Sequence, residues 1–188
     1  TDFIGQTPRI GVWVCNCGIN IGGIADVPAV RDYAANLPYV AHVEDKLFTC
    51  SQDSQDHMKE MIKEHNLNRI VVAACSPRTH EPLFQETIRD AGLNKYLFEM
   101  ANIRDQNTWV HMKDAAKATT KAKDLVRMAI AKAAFIEPLH QVSLGIKKAI
   151  LVVGGGAAGM EAALNAACQG VEVHLIEKTG ELGGVAKQ

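Results

Sequence analysis

A chain of 188 residues with 47% apolar side chains can bury the core of one ordinary domain and begin a second. Its 20 basic and 21 acidic residues leave a net charge of -1, so no global positive field exists to hold nucleic acid or an anionic membrane surface. The most apolar stretch, residues 149–160, is about half the length needed to span a bilayer, and no basic segment followed by an apolar run opens the chain, so no membrane span and a cytoplasmic location are expected.

Residues 9–14 read as a first strand. Asp26 then caps a helix running to about Asn36, with Pro28 tolerated in its first turn. Residues 40–48 form a second strand, and Ser51 or Ser54 opens an amphipathic helix through Met58, Met61 and Ile62 to about His65. The β-branched residues 69–74 are a third strand, Pro82 starts a helix that Gly92 ends, and residues 96–100 are a weaker fourth strand. Strands alternating with helices through short connections predict a parallel sheet covered on both faces.

Residues 114–136 predict a longer helix, because Ala118, Ala122, Leu125, Val126, Ala129, Ile130 and Ala133 recur at the helical period. Lysines fill much of its other face, which reads as a solvated surface on a connector helix. Residues 137–147, with Pro138, read as a linker. A second βαβ pattern follows: strand 148–153, helix 157–169, strand 172–177. The expected fold class is therefore α/β, with a flavodoxin/Rossmann-like parallel-sheet domain over residues 1–136 and the first βαβ unit of a Rossmann domain over 148–188.

The five cysteines, at 15, 17, 50, 75 and 168, are too few and odd in number for a disulfide framework, which moves metal or redox chemistry ahead of structural bridges. Cys15 and Cys17 follow the first strand, Cys50 the second and Cys75 the third. In an open parallel sheet the carboxyl ends of the strands share one edge, where such folds bind ligands. Four thiolates can thus converge, and a soft tetrathiolate set suits zinc or an iron–sulfur cluster. Cys-x-Cys followed by two distant single cysteines is no common zinc spacing, and a loop containing Gly18, Gly22 and Gly23 offers backbone N–H groups to cluster sulfurs. Iron–sulfur is favoured; a zinc domain that organises subunit contacts is the alternative, and separate buried cysteines are the plainer one. Arg78 and His80, between two prolines, are candidates for tuning a cluster, although ordinary loop residues are the weightier reading. Cys168 shares a helical face with Met160, Ala163, Leu164 and Ala167 and is expected to be a small core residue.

Leu151-Val152-Val153 leads directly into Gly154-Gly155-Gly156-Ala157-Ala158-Gly159, the glycine pattern of a dinucleotide site, here with strand, turn, helix and second strand all in place. Gly154 makes the tight turn, Gly156 lets a pyrophosphate approach, Gly159 lets helix and strand pack, and the N–H groups at Ala157 and Ala158 face the phosphates. Glu177, at the end of the second strand, is placed to accept ribose hydroxyls and disfavours the extra phosphate of NADP. Glu177-Lys178 followed by Glu181-Leu182-Gly183-Gly184 resembles the continuation in FAD-binding domains of thioredoxin-reductase-like flavoproteins, which favours FAD over NAD. A simple pyridine-nucleotide disulfide reductase would want a Cys-x-x-Cys pair, and the sequence has none.

Taken together, Val14-Cys15-Asn16-Cys17-Gly18, Ala73-Ala74-Cys75-Ser76-Pro77-Arg78, Glu99-Met100-Ala101-Asn102-Ile103-Arg104, Lys123-Asp124-Leu125-Val126-Arg127-Met128 and the glycine loop closely resemble the A subunit of heterodisulfide reductase, over nearly the whole chain. The resemblance implies an oxidoreductase subunit carrying FAD and [4Fe–4S] clusters. It further implies electron bifurcation, in which pairs from a hydrogenase or formate dehydrogenase divide between ferredoxin and a disulfide-reducing pair of B and C subunits, within a homodimeric parent. On this chain it assigns Cys15, Cys17, Cys50 and Cys75 to the N-terminal cluster, and Gly154, Gly156, Ala157, Ala158, Gly159, Glu177, Lys178, Gly183 and Gly184 to FAD. The chain is expected to be the opening piece of a longer subunit, inactive alone.

Overall fold

Four parallel strands carry the first part of the chain: β1 (Ile10–Cys15), β2 (Val40–Lys46), β3 (Arg69–Ala74) and β4 (Phe98–Asn102), paired in the order β2-β1-β3-β4. The computed structural model describes residues 3–187 and divides into two units, Thr1–His140 and Gln141–Gln188. Between the strands of the first unit run helices α1 (Val27–Ala35), α2 (Gln52–Glu64) and α3 (Pro77–Asp90), and α4 (Ala115–Ala133) closes it.

Alternation along a strand sends successive side chains to opposite faces, and β1 shows how the core is divided. Ile10, Val12 and Val14 pack with Val30 of α1 and with Ala122, Val126 and Ile130 of α4. Trp13 and Cys15 pack on the other side with Met58 and Ile62 of α2 and Phe84 and Ile88 of α3. Every residue of β1 and β3 is buried, as central strands covered on both faces must be. Each fully buried aliphatic side chain there contributes about 1.5–3 kcal/mol. Asp26 and Asp114 start α1 and α4 by accepting the Ala29 and Lys117 N–H groups, each at 3.0 Å.

Four elements differ from the sequence expectation by two residues or more, and two of them simply stop short: β2 ends at Lys46 rather than at residue 48, and α4 at Ala133 rather than at residue 136. α3 begins at Pro77 rather than at Pro82, because Ser76 caps it by accepting the Arg78 N–H at 3.3 Å and Pro77 suits the first helical position. Pro82 therefore lies inside the helix, where its missing N–H costs one intrahelical bond. β4 starts at Phe98 because residues 94–97 form a turn, in which Asn94 accepts the Leu97 N–H with its carbonyl and the Tyr96 N–H with its side chain, both at 3.0 Å. A π-helical turn, Arg104–Thr108, follows β4.

The second unit holds β5 (Ala149–Val153), α5 (Ala157–Cys168) and β6 (Glu172–Ile176), with β5 and β6 parallel. Residues 136–147 form neither helix nor strand. One helix on a two-stranded sheet covers little surface, and no residue of α5 is buried. Cys168, expected in the core, is accordingly exposed, with Leu164 on the same face 61% exposed. Among the described residues no helix is long and apolar enough to cross a membrane.

Candidate functional site

The carboxyl edge of the first sheet gathers four thiols. Cys15 ends β1, and Cys17 follows in a left-handed conformation (φ 47°) that turns the chain back so that its own N–H donates to the Cys15 sulfur at 3.3 Å. The Thr49 N–H reaches the same sulfur at 3.4 Å. Cys50 and Cys75 each stand one residue ahead of a serine that precedes a helix, Ser51 before α2 and Ser76 before α3. Both therefore sit at the positive end of a helix dipole, a placement that favours an anionic sulfur. All four cysteines pack with one apolar cluster and all are free thiols.

Burial pushes the Cys50 thiol up, with the neighbouring Cys15 and Cys17 adding to the effect. The Cys75 thiol is also raised by burial, and there the charge of Arg104 opposes the rise. Arg104 donates through Nη1 to the Cys17 sulfur at 3.6 Å. Two donors at this edge, Thr49 Oγ1 and Arg104 Nε, are buried without a hydrogen-bond partner. Buried donors left unpaired are costly, so the site suits a ligand that brings acceptors. Among the described residues no three His, Cys, Asp or Glu side chains group tightly enough to hold one metal ion.

Arg78 and His80, the tuning candidates of the sequence, lie in the first turn of α3, where Arg78 is exposed and His80 half-buried, and among the described residues neither bonds to a thiol. The cation at the thiols is Arg104, and the sequence contained a pointer to it. Arg104 lies two residues beyond the end of β4 as Cys17 lies two beyond the end of β1, so the strand-end rule extended to the fourth strand reaches it. The repeated Cys-Ser pairs at 50–51 and 75–76 were the corresponding signal for the helix-start placement.

In the second unit the glycine loop is built almost wholly by backbone. Gly154 takes φ +106°, closed to L side chains, and donates its N–H to the Ile176 carbonyl at 2.8 Å. At Gly159 a Cβ would lie 1.8 Å from the Gly154 carbonyl oxygen, so only glycine lets α5 approach the loop. Gly156 precedes α5 without a side-chain cap, which leaves the N–H groups opening at Ala157 and Ala158 free for an anion. Glu177 accepts the Gly155 N–H at 2.6 Å and the Thr179 N–H at 3.0 Å, and these bonds hold its carboxylate below the ordinary range. Gly183 pairs with the loop, donating its N–H to the Gly155 carbonyl at 2.8 Å and bridging Gly156. Lys178 follows Glu177 directly and is exposed, and Gly184 lies close to Gly156, where an added Cβ would meet its Cα at 3.2 Å.

Residues 149–188 match the family described as FAD dependent oxidoreductase. Over 179 residues the chain is 52% identical to the A subunit of the H(2):CoB-CoM heterodisulfide,ferredoxin reductase of Methanothermobacter thermautotrophicus, covering 95% of this chain and 27% of that protein. The chain belongs to the family of heterodisulfide reductase A subunits. Other members are the A subunit of the same reductase from Methanothermobacter marburgensis, 51% identical with the same coverage of 95% and 27%, and an iron-sulfur A subunit of the CoB-CoM heterodisulfide reductase of Methanopyrus kandleri, 50% identical, again covering 95% and 27%. The chain thus spans about a quarter of the length of these relatives.

Proposed function

We propose that this chain is an electron-transfer module of a heterodisulfide reductase-like oxidoreductase, in which Cys15, Cys17, Cys50 and Cys75 hold one [4Fe–4S] cluster and the loop at 154–159 receives the diphosphate of FAD. The observation that carries it is the meeting of four thiols from three strand ends on one edge, with N–H donors aimed at sulfur. A single tetrahedral ion with bonds of about 2.3 Å needs its sulfurs within about 4 Å of one another, whereas a cluster accepts a wider ring. When bound, the cluster supplies one-electron transfer and the flavin exchanges electrons singly or in pairs.

The chain's own residues prepare both sites. The N–H groups of Cys17 and Thr49 and the helix starts after Cys50 and Cys75 stabilise negative sulfur. Glu177, anchored by Gly155 and Thr179, keeps lone pairs for ribose hydroxyls and repels a 2′-phosphate. Lys178, Gly183 and Gly184 complete the lip of the dinucleotide site. The proposal includes a reducing, cytoplasmic setting that preserves ligand thiols. It also includes B- and C-type partner subunits, a hydrogenase or formate dehydrogenase donor, ferredoxin, a homodimeric parent and electron bifurcation; the related A subunit from Methanosarcina mazei is that of a ferredoxin:CoB-CoM heterodisulfide reductase.

Anaerobic reconstitution with iron and sulfide tests the first half: a brown protein with about four irons and four sulfides per chain is expected, and a colourless protein holding stoichiometric zinc overturns it. Titration with ADP while following backbone amide signals tests the second. Shifts confined to the residues around 154–159 and 177 are expected, and unmoved signals there remove the dinucleotide site.

A further inference from the structure

We propose that Arg104, carried on the turn that follows the fourth strand, is the residue that sets the reduction potential of the thiol site by holding a fixed positive charge against Cys17. The inference rests on the reading of the four cysteines as cluster ligands.

The geometry is that of a placed charge. Arginine ordinarily finds a carboxylate, yet the acceptor of this guanidinium is the Cys17 sulfur at 3.6 Å. One of its faces is covered by the Trp109 ring, 5.0 Å from centroid to guanidinium carbon, a cation–π contact that fixes the plane of the fork. Trp109 is tied in turn to the cysteine loop by its indole N–H, which reaches Asn20 Oδ1 at 3.4 Å, and Thr108 Oγ1 donates to the Asn20 carbonyl at 2.7 Å. Cation, aromatic cover and cysteine loop are therefore one connected assembly.

The π-helical turn explains how a side chain from the end of β4 arrives there. Its wider winding lets the Thr108 and Trp109 N–H groups bond back to the carbonyls of Ile103 and Arg104, at 3.3 and 3.0 Å, which brings Trp109 over Arg104. Such turns are rare and often mark functional positions. The turn is anchored below by the wholly buried Asn107, whose amide donates to the Ala118 carbonyl of α4 at 2.8 Å. Asp105, the nearest carboxylate in sequence, accepts from Asn102 Nδ2 at 2.9 Å.

A cluster held by four thiolates gains one negative charge when it accepts one electron from an external donor, with no bond made or broken. A fixed cation beside it is attracted more strongly to the reduced state, so it raises the potential. Lysine keeps the charge but loses the planar fork and the stack.

The test uses the full chain, reconstituted anaerobically, as wild type, Arg104→Gln, Arg104→Lys and Trp109→Leu. Iron and sulfide content is measured first, then the midpoint potential by titration with redox mediator dyes. Arg104→Gln is expected to retain its iron and to shift the one-electron equilibrium toward the oxidised form about tenfold, a fall of ~59 mV for one electron. Arg104→Lys should recover most of the shift, and Trp109→Leu should lose a smaller part. If the wild type takes up no iron, the ligand assignment fails and the inference with it. If Arg104→Gln holds full iron at the wild-type potential, the inference alone fails. If Arg104→Gln holds no iron, Arg104→Lys decides: full iron near the wild-type potential supports a role for the charge, and absent iron or a potential far below wild type overturns it.

Discussion

β1 and β5 are both short aliphatic strands leading into a loop that carries chemistry, yet all of β1 is buried and no residue of β5 is. β1 has a strand on each side and helices over both faces; β5 has one neighbouring strand and one helix. The thiol site is consequently held by a core, through side chains fixed from several directions. The glycine loop is held by backbone conformation, through bonds such as that from Gly154 to Ile176. Like sequence patterns thus give sites that fail for unlike reasons.

The sharpest way to break this comparison is to change cysteines in each unit. Serine at any one of Cys15, Cys17, Cys50 or Cys75 should reduce bound iron from its full content to near zero, while Cys168→Ser leaves it unchanged; iron and sulfide analysis reads both. Full iron in any one of the four variants would remove that cysteine from the ligand set.

Next in size is a core truncation. Ile70→Ala, at a wholly buried position of β3, should lower unfolding free energy by about 2–5 kcal/mol in urea titration, because the rigid neighbours leave a cavity. A loss near zero would mean that the sheet repacks freely and that the thiol edge is not held by a tight core.

A smaller effect depends on pH. Burial pushes the Glu44 carboxyl up, but bonds from Lys46 and Trp13 outweigh it and leave the group below its ordinary value of 4.5. Its contribution is therefore present above that value and lost as pH falls through the lower, folded one. Glu44→Gln should cost about 1.5–3 kcal/mol at neutral pH, and the difference from wild type should vanish on acidification. A difference constant with pH would show that shape rather than charge is what matters. Smallest of all, Leu164→Ala on the exposed face of α5 should change the same unfolding free energy by less than about 0.5 kcal/mol; a loss comparable to that of Ile70→Ala would mean that this face of α5 is core after all.

Much of the fold was legible because it rests on periodicity. Ile10, Val12 and Val14 alternate with Trp13 and Cys15, and Ala118, Ala122 and Val126 repeat at helical spacing, so strand and helix faces could be assigned. The meeting of cysteines from distant positions followed from strand ends sharing an edge. The start of α3 was not legible, because a proline at 82 suits a first turn as well as the true one at 77 does. The π-helical turn has no repeat that a few residues can display, so the strand-end rule brings Arg104 to the edge without revealing that it meets Cys17 and Trp109 there. The exposure of Cys168 depends on how many strands lie beneath α5, which its own helical face does not reveal.

The strand order has a kinetic consequence. β1 comes first in the chain but stands inside the sheet, and its register with β3 pairs Ile10 with Arg69. During synthesis β1 therefore waits, with one side unpaired, until almost sixty further residues have emerged, a nonlocal closure of the kind that slows folding. Until then Cys15 and Cys17 stand without Cys75, which follows β3 directly, so the four thiols come together only after this interval. Arrival of β3 ends the wait by pairing the open side of β1, and β4 then completes the sheet beyond it.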